Sequence, residues 1–173
     1  VEAPGQADSV EVQYETILDQ ARLDHWLQRL RDAPLFAFDT ETTSIYAQQA
    51  ELVGVSFAVE PHQAAYVPLA HSYMGVPEQL DRDQVLAALK PLLEDPAKPK
   101  LAQHAKYDMN VLAHYGIRVQ GVAFDTMLES YVLDSTATRH DMDSLALKYL
   151  GIGTVRFEDI AGKGAKQLTF DQI

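Results

Sequence analysis

Apolar positions change their spacing twice along the chain. Ile17, Leu18, Ala21, Leu23, Trp26, Leu27 and Leu30 recur near a helical period, which predicts an amphipathic helix over 17–32. Pro34 ends that pattern, and Leu35–Phe38 reads as a buried strand running into Asp39, Thr40, Glu41, Thr42 and Thr43. Residues 51–59 and 64–70 are two further strands, with Glu60-Pro61-His62-Gln63 between them at hairpin length. Three strands joined by short turns predict an antiparallel meander. The helical period then returns. Leu80, Val85, Leu86, Leu89, Leu92 and Leu93 predict a helix over 81–93 despite Pro91. Lys100–Gln103 reads as a short strand, and Tyr107–Tyr115 as a helix aimed from its first turn at the sheet edge and closed by Gly116. Val119–Phe124 is a strand, followed by a helix over 127–133 capped by Asp125 or Thr126. A last helix spans 143–150 and stops at Gly151. The fold class is therefore α/β, with a mixed sheet, an antiparallel three-strand meander and flanking helices.

Composition narrows the chemistry. With 173 residues, 47% of them apolar, the chain suits one domain and has enough apolar surface to offset its chain entropy. It contains no cysteine, which excludes disulfides, a thiol nucleophile and cysteine-ligated zinc or iron–sulfur sites. The longest apolar stretch, Leu52–Val59, is broken by Gly54 and Ser56 and falls well short of the ~20 residues of a membrane helix. No membrane partner is expected. A formal charge of −11 argues against a large basic nucleic-acid surface, but not against a small acidic site that recruits divalent cations. Residues 1–12 read as a polar linker and 13–173 as the domain. The first residue is Val, which predicts a processed or excised chain, and Lys166–Ile173 is expected to open a helix.

The candidate chemistry lies in the carboxylates. Asp39 and Glu41 stand at i and i+2 of a strand and so share one face. Like charges a few Å apart raise each other's pKa, and a hard cation with oxygen ligands, Mg²⁺ or Mn²⁺, relieves the conflict. Ordinary strand-end or capping roles are the alternative. Asp108 would sit in the first turn of the helix after the 100–103 strand, where the helix dipole alone also favours an acid. His104 and Asp108 form an H-x-x-x-D pair compatible with one helix face.

Several segments together are similar to a known family. Phe36–Ile45 (FAFDTETTSI), Leu52–Val59, Ala65–His71 (AYVPLAH), Gln103–Asp108, Phe124–Tyr131 (FDTMLESY), Arg139–Leu145 (RHDMDSL) and Ile160–Gln167 (IAGKGAKQ) resemble the 3′–5′ proofreading exonuclease domain of family A bacterial DNA polymerases. The resemblance runs from about residue 34 to 173. It implies a ribonuclease H-like fold and an enzyme that releases deoxynucleoside 5′-monophosphates from single-stranded or mismatched DNA 3′ ends. It further implies two divalent ions (Mg²⁺, or Mn²⁺ or Zn²⁺) held by Asp39, Glu41 and Asp108, which serve as the catalytic residues.

For substrate binding, the resemblance implies Ile45 as a wedge against the terminal bases and Phe157 as a stacking surface for the single strand. It places Gln103, His104, Tyr107 and Arg139 near the DNA. The implied partners are a single-stranded DNA 3′ end and the polymerase domain of the same parent chain, in a monomeric fragment of a cytoplasmic, nucleoid-associated bacterial enzyme. A catalytically silent scaffold or single-strand-binding domain is the competing reading.

Two departures stand out. His104 occupies a position where the family usually has Asn. The family's third motif, Y-x-x-x-D, does not occur, since the eight tyrosines are followed at +4 by Leu, Ala, Ala, Pro, Val, Val, Ser and Gly. The expectation is weak or absent activity for this stretch alone.

Overall fold

The computed structural model describes residues 12–136 and 139–173. Apart from Val12, the linker expected over 1–12 lies outside the described residues. A six-stranded sheet has the order β1-β4-β3-β2-β5-β6. The meander is β2 (Phe36–Thr42), β3 (Leu52–Glu60) and β4 (Gln63–Pro68), paired antiparallel throughout. Strands β5 (Lys100–Ala102) and β6 (Val122–Asp125) extend it on the β2 side in parallel, so the sheet is mixed as expected.

Helices α1 (Gln20–Asp32), α2 (Arg82–Leu93) and α3 (Ala105–His114) contribute Leu23, Trp26, Leu30, Leu89, Leu93 and Leu112 to one core. That core covers the sheet face bearing Phe36, Phe38, Val55, Phe57, Ala65 and Val67. Helices α4 (Thr126–Leu133), α5 (Met142–Leu150) and α6 (Phe157–Ala161) follow, with 3-10 turns at Gly164–Lys166 and Phe170–Gln172. Among the described residues, no helix is long and apolar enough to cross a membrane.

The differences from the expected elements have local causes. Helix α1 starts at Gln20, not Ile17, because the Asp19 carboxylate caps the Arg22 N–H at 2.9 Å. Ile17 is instead fully buried on the link into the helix. An unexpected edge strand, β1 (Gln13–Thr16), pairs in parallel with β4. Helix α3 starts two residues early, because Asp125 from β6 accepts the His104 and Ala105 N–H groups at 3.0 and 2.9 Å. Strand β6 starts late, after Gly121 at φ +69°, where the Lys98 carbonyl approaches too closely for any Cβ. Lys166–Ile173 does not open an α-helix. It forms the turn at Phe170–Gln172, whose start is closed by a reciprocal Thr169–Gln172 cap.

Candidate active site

Strand β2 outlasts its parallel neighbour, and that mismatch creates the site. The β2–β5 pairing stops at Ala37 and Leu101, so the carboxyl end of β2 loses its partner on that side. Asp108, buried in the first turn of α3, fills the gap. Its Oδ1 accepts the Thr40 N–H at 3.0 Å and the Thr40 hydroxyl as well. The chain leaves β2 toward β3 and returns on the other side as β5, a topological switch point of the kind where ligands gather beyond strand ends. The expectation that Asp108 aims at the sheet edge is corrected: it reaches an interior strand.

Asp39 and Glu41 share the opposite face of β2, as their spacing predicts. Asp39 stands in one cross-strand row with Ser56 and Tyr66, and Glu41 pairs with Gly54. Small side chains keep this face open, and a groove of about 300 Å³ runs over Ala37, Asp39, Ser56, Ala58, Ala64 and Gln103. Burial, then the charges of Asp108 and Glu41, push the Asp39 carboxyl up to about 7. Burial and the Asp108 charge push Glu41 up to about 7. Burial also raises Asp108, against the Thr40 hydrogen bonds that pull it down.

No lysine or arginine is among the groups that chiefly set these shifts. Among the described residues, no three His, Cys, Asp or Glu side chains close into a ready-made metal cage. The donor set still fits a hard divalent cation. Mg²⁺ takes one or two carboxylates, fills its shell with water and phosphate oxygens, and so needs no closed protein cage.

The remaining expected residues divide into presented and engaged. Ile45 is 83% exposed just beyond β2. The Tyr107 hydroxyl donates to the Ser44 carbonyl and meets Thr42 Oγ1, which pins the loop that carries Ile45. Gln103 donates to the His140 carbonyl at 2.9 Å and accepts from Thr126, so both ends of its amide are engaged. Arg139 extends into solvent and pairs with Asp141 at 3.4 Å. Phe157 opens α6, 41% exposed, with one ring face stacked on Phe170 at 6.0 Å and 8°.

His104 does not share a helix face with Asp108. It is the N-cap of α3 at φ +63°, with its side chain in solvent. That left-handed backbone suits Asn and is also open to His, which accounts for the exchange of one for the other. Sequence reasoning missed two residues. Thr40, between the two acids, holds Asp108. Asp125 caps α3 as well as its own helix, where it accepts from Met127 and Leu128. The FDT run marks Asp125 as a cap but does not reveal the second helix.

Two carboxylates at the carboxyl end of a central strand, with a third from α3, make an acidic candidate site on a ribonuclease H-like sheet. Solved structures agree on the fold. The catalytic core of RRP6 from Trypanosoma brucei superposes with a TM-score of 0.67 at 13% identity, over 96% of this chain and 44% of that one. Brucella melitensis NrnC, solved with bound Mg²⁺, superposes at 0.56 and 21% identity, over 84% of this chain and 65% of that one.

Sequence comparison is more specific. The 3′–5′ exonuclease family matches residues 14–173, and the chain belongs to that family. DNA polymerase I of Pseudomonas aeruginosa is 75% identical over 174 residues, which cover 99% of this chain and 19% of that polymerase. The chain thus spans about a fifth of the length of this relative.

Proposed function

We propose that residues 13–173 form a metal-dependent 3′–5′ exonuclease domain that works within a DNA polymerase chain and trims mismatched or single-stranded DNA 3′ ends. One observation carries this reading: three carboxylates close enough to act on one another share a half-buried site, their pKa values raised, with no lysine or arginine among the groups that chiefly set those shifts. A protein retains such a cost where a cation removes it. The polymerase relative and the Mg²⁺-bound neighbour support the same reading.

Asp39, Glu41 and Asp108 would hold two divalent ions, Mg²⁺ or Mn²⁺ or Zn²⁺. Bound there, the ions would supply an activated water and charge stabilisation for the departing 3′-oxygen. The chain's own residues do the positioning. Thr40 fixes one oxygen of the Asp108 carboxylate through two hydrogen bonds, which leaves the other free of them. Tyr107 braces the loop that offers Ile45 to the terminal bases. Phe157 offers one ring face to an unpaired base, and Arg139 would supply positive charge in an otherwise acidic chain. Gln103 lines the groove that holds Asp39, and His104 would meet the substrate from the solvent side of the α3 start.

The product would be a deoxynucleoside 5′-monophosphate, made in the cytoplasm of a bacterium. No tyrosine in this chain has Asp at +4, so the 173 residues alone should act weakly. The test is a 5′-labelled primer with a terminal mismatch, given Mg²⁺ or Mn²⁺ and either the isolated chain or a polymerase that contains it. The expected result is stepwise shortening by the polymerase and little by the isolated chain. Absence of any 3′ shortening by the polymerase would overturn the reading, and equal rates would overturn the part about the isolated chain.

A further inference from the structure

A hydrogen-bonded knot centred on His71 lies outside the acid site yet touches its face. Tyr66 stands in the cross-strand row of Asp39 and leans over Gly54, the partner of Glu41. A Cβ at Gly54 would come within 2.0 Å of the Tyr66 hydroxyl, so the glycine is what admits the phenol. The hydroxyl meets His71 Nε2 at 2.7 Å, and His71 Nδ1 meets the Ile173 main-chain oxygen at 2.8 Å. That oxygen can only accept, so Nδ1 carries the proton, and with a single proton on the ring Nε2 accepts from Tyr66. The Gln79 amide clamps the His71 backbone from both sides at 2.8 Å.

The knot continues into the last segment of the chain. The Ser72 N–H donates to the Asp171 carbonyl at 2.7 Å, and its hydroxyl to the Asp171 carboxylate at 2.9 Å. The Phe170 ring lies 5.9 Å from the His71 ring and stacks with Phe157 at 6.0 Å. Helix α6 buries only Ala161, and α5 buries no residue, so these elements bring little packing of their own to the sheet.

We propose that His71 is a positioning residue for the DNA strand: it ties residues 157–173 to the sheet and so sets the Phe157–Phe170 stack at a fixed place relative to the strand row that carries Asp39. The proposal rests on the reading of Phe157 as a stacking surface. Two substitutions separate the two ring nitrogens. His71→Asn keeps a donor near the Nδ1 position and loses the Tyr66 contact. His71→Gln keeps an acceptor near the Nε2 position and loses the Ile173 tether.

The test measures binding of a fluorescent phosphorothioate oligothymidylate by anisotropy in Mg²⁺, beside Mn²⁺ binding by calorimetry and a melting curve for each variant. His71→Asn should bind DNA within about twofold of the parent. His71→Gln should bind about five- to tenfold more weakly, and Phe157→Ala at least as weakly, since one base–aromatic stack is worth roughly 1.4 kcal/mol or more. Mn²⁺ affinity should be unchanged in all three. Equal DNA binding by the Asn and Gln variants would overturn the tether, provided Phe157→Ala binds weakly. Parent-like binding by Phe157→Ala would instead overturn the stacking reading itself.

Discussion

Replacing Asp39 by Asn should stabilise the metal-free protein while destroying its response to metal. In the folded chain, burial and two neighbouring carboxylates raise Asp39 to about 7. An unfolded aspartate titrates near ~3.9. The folded state therefore binds more protons between these values, and stability falls as pH rises through that window before levelling off above it. The full gap corresponds to roughly 4 kcal/mol, and solvent access to a half-buried group reduces the expected cost to about 2 kcal/mol at about pH 8. Asn removes the charge while keeping the size of the side chain. For a chain of this length about 2 kcal/mol should raise Tm by about 4–8 °C. The assay is thermal unfolding in chelator near pH 8 and near pH 5.5, then with Mn²⁺. The Asn variant should melt higher at the upper pH, with a narrower gap at the lower. Saturating Mn²⁺ at ~100 times its Kd should add about 2.7 kcal/mol to the parent and little to the variant, which would reverse the order. A variant that melts below the parent in chelator at about pH 8, or a gap that widens toward acid, would refute this account of the cluster.

Three further outcomes follow from the packing. Gly54→Ala should cost about 1–3 kcal/mol, read by urea unfolding, because the new methyl displaces the Tyr66 phenol from His71. Asp125→Ala removes the acceptor of four main-chain N–H groups at two helix starts. It should cost about 2 kcal/mol and weaken Mn²⁺ binding, because α3 delivers Asp108, and calorimetry on the folded variant checks the second part. Lys100, with no exposed surface, donates to the Asp95 and Lys98 carbonyls. Lys100→Met should cost about 1–3 kcal/mol by the same unfolding assay, since two buried acceptors lose their donor.

The meander was legible because β2, β3 and β4 are apolar runs separated by turn residues, and the paired acids because i and i+2 share a face. What stayed hidden depends on groups distant in sequence. Strand β1 carries mostly exposed side chains, and main-chain bonds such as Ile17 N–H to the Tyr66 carbonyl, at 2.8 Å, continue its link to β4. No alternation could reveal it. The true start of α3 is set by Asp125, twenty residues later. Asp108 was legible as a helix-start acid, but its partner Thr40 lies 68 positions earlier. Short β5 leaves that N–H unpaired, a fact of strand length rather than of local pattern. Phe157 and Phe170 read as separate aromatics until the fold stacks them.

The most direct measurement uses a polymerase chain that contains this segment, a 5′-labelled single-stranded DNA, and Asp39→Ala beside the parent. The parent should shorten the DNA one nucleotide at a time from its 3′ end, only with Mg²⁺ or Mn²⁺, and the variant should leave it intact. Undiminished shortening by Asp39→Ala, or shortening by the parent in chelator, would contradict the assignment of the β2 carboxylates as the metal-holding centre.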